Sequence, residues 1–227
     1  MGFVMIYFFT GKPGNGKSLH MAQIIDHALR QGKNVIANFE IDERFLWNEK
    51  HSDRYGWFIY EPNKYWLNNA YKTKTEGFTY IDGLYNFARY CHRKNKKRQI
   101  LEHQTIIVFD ECQELFNTRT WNRKDRLEWC TFFRQHRKFG YDIYLISQDD
   151  KVIDKQIRNI LEYEIEHRCV NNYKLFGRIL GWLAGGKLFV AITRWYARHG
   201  HSDSFISSQY FIGRQKYYDF YNSYKVF

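Results

Sequence analysis

Residues 11–18 read Gly-Lys-Pro-Gly-Asn-Gly-Lys-Ser, a complete G-x-x-x-x-G-K-S sequence. Its glycines let consecutive backbone N–H groups turn towards one anion, and Lys17 can reach the β- and γ-phosphates of a nucleotide. The hydroxyl of Ser18 can ligate Mg²⁺. The pattern therefore predicts a phosphate-binding loop. The residues predicted to contact the nucleotide are Gly11, Lys12, Pro13, Gly14, Asn15, Gly16, Lys17, Ser18 and Leu19.

Two acidic residues, Asp110 and Glu111, supply the second half of the predicted site. They follow Thr-Ile-Ile-Val-Phe at 105–109, a continuous apolar run typical of a strand buried on both faces. We expect Asp110 to hold Mg²⁺ through its water shell, and Glu111 to orient and polarise the attacking water. An acidic pair alone equally fits a loop or a helix cap. Together with the phosphate loop it favours hydrolysis of a nucleoside triphosphate.

An α/β sheet is required to bring these residues together. An apolar run over residues 4–9 enters the phosphate loop, and a helical pattern over 17–29 leaves it. The buried run 141–146 ends at Gln148, which we expect to sense the γ-phosphate; the alternative is a polar strand end. The phosphate loop, the acidic pair and Gln148 each follow a predicted strand, and in open α/β sheets ligands bind at the carboxyl ends of the strands. The sequence therefore predicts an α/β fold with a mostly parallel central sheet and flanking helices.

The remaining segments predict one domain over residues 1–227, with two additions. The first is an aromatic and basic elaboration over 39–103, packed over the nucleotide face, and the second is a C-terminal appendage over 171–227. The apolar stretch 175–192 is interrupted by charges and glycines, which predicts a loop or hairpin rather than a membrane span. Further predicted elements are strands at 34–38 and 162–170 and helices at 82–92, 126–139 and 150–160.

The net charge of +11 indicates a negatively charged partner, nucleic acid first and the cytoplasmic membrane face second. The alternative is a generally solvated basic surface. Six Lys and Arg residues lie within residues 89–98, where they favour either a DNA contact or a solvated helix end and loop. The four cysteines have no zinc-like spacing and are typical of reduced thiols in a cytosolic protein.

Six motifs follow one another along the chain, at residues 5–18, 34–38, 108–111, 134–137 and 146–148 and in the Tyr-Asn-Ser-Tyr sequence at 221–224. This ordered set resembles the zonular occludens toxin (Zot) family. The resemblance implies the FtsK/HerA-type P-loop NTPase domain of a filamentous-phage assembly protein, with ATP and Mg²⁺ as cofactors. It further implies an oligomeric ring that extrudes single-stranded DNA through the inner membrane, from its cytoplasmic face, with a membrane or phage assembly partner.

The resemblance assigns roles only to matching positions. The phosphate loop, Asp110 with Glu111, and Gln148 carry over as phosphate, metal-and-water, and sensor residues. Ring ATPases also receive an arginine from the neighbouring subunit, and Arg137 is the first candidate. Arg134 and Arg158 are the other candidates, and for all three the alternative is a surface ion pair or a helix C-terminal charge.

Three other functions remain open at the level of sequence. They are a packaging or conjugative translocase acting on double-stranded DNA, a small-metabolite kinase, and a nucleotide-binding interaction protein with little hydrolysis. Family members usually continue into a membrane span, whereas this sequence ends at Phe227. We therefore expect either a soluble version with a separately encoded membrane partner or a packaging-type motor. The resemblance gives no ground for a toxin activity.

Overall fold

The computed structural model describes residues 5–42, 44–47, 52–68, 79–120, 123–172, 186–198 and 200–221. An eight-stranded sheet runs through the described residues in the order β3-β2-β4-β5-β1-β6-β7-β8. The strands from β3 to β6 in that order are parallel, and the last two are antiparallel. The strands are β1 (Ile6–Thr10), β2 (Asn34–Ala37), β3 (Phe58–Tyr60), β4 (Thr105–Phe109), β5 (Tyr141–Ile146), β6 (Tyr163–Cys169), β7 (Leu188–Trp195) and β8 (Phe205–Ile212). The α/β fold class with a mostly parallel sheet is confirmed.

Helices cover both faces of the sheet. One face packs against α1, and the other packs against α4 and α5. Alternate residues of β4 explain this arrangement, since Ile106 and Val108 face α1 whereas Ile107 and Phe109 face the other layer. A strand buried on both faces is expected to be almost continuously apolar, as β4 is from Ile106 to Phe109. The helices are α1 (Lys17–Arg30), α2 (Arg44–Trp47), α3 (Asn63–Asn68), α4 (Tyr80–Cys91), α5 (Arg126–Gln135), α6 (Lys155–Arg158) and α7 (Gln215–Phe220).

Some predicted elements differ from the observed ones. The predicted helix over 150–160 is a 3₁₀ turn at Asp150–Val152 followed by the short α6. The side chains of Asp149 and Asp154 each accept a hydrogen bond from the backbone N–H group two residues further along the chain. Each aspartate therefore caps its own short helix, and the extended Ile153 separates the two helices. The helix predicted over 126–139 is α in its first part and 3₁₀ at His136–Phe139 before Gly140.

The elaboration over 39–103 also differs from expectation. It contributes the edge strand β3, and its helix α4 packs on the face opposite α1 rather than over the phosphate loop. The C-terminal part extends the main sheet through β7 and β8. Of the hairpin predicted over 175–192, residues 175–185 lie outside the described residues, as do residues 222–224 of the Tyr-Asn-Ser-Tyr motif. Among the helices that are described, none has the length and apolar character needed to cross a bilayer.

Candidate nucleotide-binding site

The phosphate loop connects β1 to α1 in a tightly packed turn. Gly16 caps α1 with a φ of 91°, and a Cβ built there would lie 2.7 Å from the ring of Phe189. A Cβ built on Gly11 would lie 2.6 Å from the carbonyl oxygen of His167. Asn15 fixes the loop to the same carbonyl, because its Nδ2 donates a hydrogen bond of 2.9 Å. The glycines are therefore required by backbone conformation and by close neighbours on β6 and β7.

Lys17 opens the helix with its ammonium group directed back over the loop. Its Nζ donates to the carbonyl oxygen of Gly11 at 2.6 Å. Burial lowers the pKa of Lys17, while the nearby carboxylates of Asp110 and Glu111 act in the opposite direction. The carboxylates of Asp110 and Glu111 therefore lie close enough to Lys17 to interact with it electrostatically.

Two buried histidines lie behind the loop. His20 Nδ1 and His167 Nε2 are 2.8 Å apart, between the rings of Phe9 and Phe211. Burial lowers the pKa of His20 to about 4 and that of His167 to about 3. Both imidazoles are therefore neutral at physiological pH, and the pair links α1 to β6.

The backbone of Asp110 is held by Asn38, which follows β2. The Asp110 N–H donates to Asn38 Oδ1 at 2.7 Å, and Asn38 Nδ2 donates to the Asp110 carbonyl oxygen at 2.8 Å. This arrangement is possible because β2 pairs directly with β4, with Ala37 opposite Val108. Asn38 is 8% exposed. Sequence reasoning treated it only as a strand end, although a polar residue closing a buried strand was a usable signal.

The Asp110 carboxylate accepts two hydrogen bonds inside the cleft. The Glu111 N–H donates to Oδ1 at 2.9 Å, and the Tyr221 hydroxyl donates to Oδ2 at 2.5 Å. Burial raises the pKa of Asp110, and these two hydrogen bonds together with Lys17 oppose the rise. Burial and the adjacent Asp110 carboxylate raise the pKa of Tyr221, so the phenol is the donor in this pair.

Glu111 adopts a left-handed backbone conformation with a φ of 45°. Its Oε2 accepts a hydrogen bond of 2.5 Å from Gln113 Nε2. A non-glycine residue with positive φ is uncommon, and such residues concentrate at functional sites. The turn leaves Glu111 on the wall of the cleft beside Asp110 and Lys17.

One cleft at the carboxyl edge of the sheet contains most of the predicted site. The phosphate loop follows β1, the acidic pair follows β4, and Gln148 follows β5, which lies between those two strands. The C-terminal part of the chain forms a further wall of the cleft. The sequence did not predict this wall, because no local pattern indicates a contact with the phosphate loop, which is far away along the chain. This wall consists of Lys187, Phe189, Tyr217, Tyr218 and Tyr221.

The residues in the cleft fit a magnesium ion. The Ser18 hydroxyl and the Asp110 carboxylate offer oxygen ligands only, and both line the cleft. Mg²⁺ prefers oxygen and is usually held by one or two carboxylates together with substrate phosphates and water. Within the described ranges, no group of three His, Cys, Asp or Glu side chains is arranged to hold a metal ion. The donor set is thus suited to a metal that arrives with a nucleotide.

The three candidate arginines lie outside the cleft. Arg137 is exposed in the 3₁₀ turn before β5, and its guanidinium lies 3.5 Å from Glu102. It therefore lies at the amino edge of the sheet, a strand length of about 20 Å from Gln148. Arg134 is exposed on α5, and Arg158 lies 4.0 Å from Asp150. None of the three lines the nucleotide cleft of its own chain.

Comparisons with known proteins agree with this architecture. The Gene 1 protein of Enterobacteria phage M13 is 30% identical over 186 residues, which are 81% of this chain and 48% of that protein. This chain thus spans about half the length of the curated relatives that it matches.

Two solved structures share the fold. The N-terminal domain of zonular occludens toxin from Neisseria meningitidis matches with a TM-score of 0.52 at 16% identity, over 97% of this chain and 100% of that chain. The genome packaging NTPase of Sulfolobus turreted icosahedral virus 2, in complex with ATP-γS, matches with a TM-score of 0.50 at 12% identity. The match covers 92% of this chain and 98% of that chain. The family profile described as "Zonular occludens toxin (Zot)" matches residues 5–182. The resemblance found in the sequence is confirmed, and the chain belongs to the zonular occludens toxin (Zot) family.

Proposed function

We propose that this protein is a P-loop ATPase that couples ATP hydrolysis to filamentous-phage assembly and the extrusion of single-stranded DNA. The observation that carries the proposal is the convergence of the phosphate loop, Asp110, Glu111 and Gln148 in one cleft. Membership of the Zot family supports the setting in phage assembly. The complex of the packaging NTPase with ATP-γS makes ATP the first nucleotide to test.

Each side chain in the cleft has a role in this proposal. The N–H groups of residues 11–18 and the Lys17 ammonium bind the β- and γ-phosphates and offset their charge. Ser18 and Asp110 hold Mg²⁺, which when bound polarises the phosphoryl oxygens. Glu111 orients the attacking water and accepts its proton, with its carboxylate held by Gln113. Gln148 senses whether the γ-phosphate is present.

The DNA-contacting surface is proposed to be the basic turn over residues 93–101. Arg93, Lys94, Lys96, Lys97 and Arg98 are exposed there, and Tyr90 at the end of α4 is 85% exposed. His92 fixes the turn to the amino ends of β4 and β5, since its ring nitrogens lie 2.6 Å from Thr105 Oγ1 and from the Phe139 carbonyl oxygen. Exposed cations on a fixed base, next to an aromatic ring, suit the phosphates and unstacked bases of a single strand.

A ring is proposed because no arginine of the described residues lines the cleft. In a head-to-tail oligomer the amino edge of one subunit, with Arg137, would face the carboxyl edge of the next. The ring would work at the cytoplasmic face of the inner membrane with a membrane or phage assembly partner. A cation placed at the transferring phosphoryl group can contribute about 10³-fold or more in rate.

The test is steady-state ATP hydrolysis without DNA, with single-stranded DNA and with duplex DNA. We expect hydrolysis that single strands stimulate, a loss of about 10²-fold to 10⁴-fold in Glu111→Gln with ATP binding retained, and loss of both in Lys17→Ala. Lys33→Ala, at the amino end of β2, is the matched lysine control and should behave as wild type.

Other outcomes would assign the protein differently. Preference for duplex DNA would replace the extrusion function by that of a packaging or conjugative translocase. ATP binding without hydrolysis above the level of Glu111→Gln would leave a nucleotide-dependent interaction protein. Absence of nucleotide binding would overturn the proposal altogether.

A further inference from the structure

Tyr221 holds the carboxylate that suits the magnesium ion. Its hydroxyl donates to Asp110 Oδ2 at 2.5 Å, and Ser18 lines the same cleft. The phenol ring is buried, with its centroid 4.2 Å from that of Phe39. A phenol hydroxyl therefore occupies one oxygen of the carboxylate that a metal ion would use.

The helix before Tyr221 is fixed to the rest of the site at several points. On α7, Tyr217 Oη donates to Asp26 Oδ2 at 3.2 Å, and Lys216 Nζ lies 3.3 Å from the same oxygen. The Asp42 N–H donates to the carbonyl oxygen of Phe220 at 2.9 Å. Asp26 lies on α1, the helix that begins at the phosphate loop. The position of Tyr221 is thus determined by contacts of α7 with α1 and with Asp42.

A magnesium ion and this phenol draw on the same carboxylate. Mg²⁺ requires near-octahedral oxygen coordination at about 2.0–2.1 Å and reaches a carboxylate directly or through its bound water. The Tyr221 hydroxyl already occupies an acceptor site on Asp110 Oδ2, which leaves fewer sites for the ion or its water. The ion and the phenol therefore compete for Asp110.

We propose that Tyr221 competes with Mg²⁺ for Asp110, so that binding of a magnesium–nucleotide complex displaces Tyr221 and loosens the end of α7. The inference rests on the proposed nucleotide site, and it adds a residue and a moving element to it. Nucleotide occupancy is then transmitted to α7 through one hydrogen-bonded side chain.

The first test compares nucleotide affinity in wild type and Tyr221→Phe, using a fluorescent ATP analogue with Mg²⁺ and with EDTA. Removal of a hydrogen bond to a charged group should tighten magnesium-dependent binding about tenfold and leave binding in EDTA unchanged. Tyr196→Phe is the matched control, because it removes a phenol–aspartate hydrogen bond of 2.7 Å to Asp150 outside the cleft. It should leave both affinities unchanged.

The second test is amide hydrogen exchange of residues 215–221. In wild type, exchange should become faster on adding ATP-γS with Mg²⁺ but not ATP-γS with EDTA, and in Tyr221→Phe it should be fast from the start. Unchanged or weaker magnesium-dependent binding in Tyr221→Phe, or slower exchange of α7 with magnesium–nucleotide, would overturn the inference alone. A wild-type protein that binds no nucleotide would overturn the proposed function as well.

Discussion

Asn38 and Asp110 are joined by two hydrogen bonds between a side-chain amide and a backbone peptide, 2.7 and 2.8 Å long, across neighbouring strands. Asn38 Nδ2 also donates to Asn63 Oδ1 at 2.8 Å, and Asn63 Nδ2 donates to Glu114 Oε2 at 2.6 Å. The position of the acidic pair is therefore determined by a chain of amides and not by β4 alone.

Replacing Asn38 by Ala should disturb the acidic pair. The buried Asp110 N–H would lose its acceptor, at a cost of about 1–3 kcal/mol in the free energy of unfolding, and magnesium-dependent nucleotide binding should weaken. Urea unfolding and nucleotide titration measure the two effects. Asn34→Ala is the control, since Asn34 Oδ1 accepts the Trp57 N–H at the opposite end of the same strand. If Asn34→Ala weakened nucleotide binding equally, the effect would not be specific to Asp110.

Gly16→Ala should impair the phosphate loop for two reasons. The new Cβ would meet the Phe189 ring at 2.7 Å, and the φ of 91° is strained for any L-residue. We expect a loss of about 1–3 kcal/mol in stability and at least about a tenfold loss of nucleotide affinity. Gly200→Ala separates backbone strain from steric contact, because the φ of Gly200 is similar at 87° but nothing lies within 4 Å of a Cβ built there. It should lose stability without losing affinity.

The buried histidine pair predicts a loss of stability in mild acid. In the folded protein the pKa values of His20 and His167 are about 4 and about 3, whereas unfolded histidine titrates near about 6.5. Below about pH 6.5 the unfolded chain therefore binds more protons at these positions, so the free energy of unfolding falls as the pH falls. Urea unfolding across this range should show the fall, and His20→Phe should reduce its slope by roughly half. An unchanged slope in His20→Phe would contradict the assignment of this acid-dependent loss of stability to the histidine pair.

Neutralising two cations of the basic turn should weaken DNA binding in a salt-dependent way. For Lys96→Gln/Lys97→Gln, two lost phosphate contacts should lower the slope of log affinity against log salt by about 1.4 for single strands. Fluorescence anisotropy with a labelled oligonucleotide measures this slope. Lys151→Gln/Lys155→Gln removes the same charge from exposed positions elsewhere. An equal effect of that control would indicate a general charge effect and not a contact surface.

The role of Arg137 in a neighbouring subunit can be tested by mixing inactive variants. Arg137→Ala should lose about 10³-fold or more in hydrolysis while retaining ATP binding. Mixing it with Lys17→Ala should restore part of the activity, because some interfaces would then combine an intact phosphate loop with an intact Arg137. Arg134→Ala and Arg158→Ala provide the comparison. Mixtures that remain inactive would exclude Arg137 as the arginine supplied between subunits.

Elements with strong local patterns were predictable, and contacts between distant segments were not. The phosphate loop, α1, β4 and β5 each carry their own period or motif, so their bounds agree with the sequence to within about two residues. β3 was missed because three half-buried residues carry no period. The polar residue after the buried β2 is a local signal for Asn38, but its pairing with Asp110 follows from the order of strands. Tyr221 reaches Asp110 through the packing of α7, which no local pattern encodes.

The parallel strands place the nucleotide cleft and the basic turn at opposite edges of one sheet. Hydrogen-bonded strands packed on both faces hardly stretch. In the proposed motor, the sheet would therefore carry movement at the nucleotide cleft to the basic turn as a rigid body. Loosening the core between the two should then reduce the work obtained from each ATP while leaving the rate of its turnover intact.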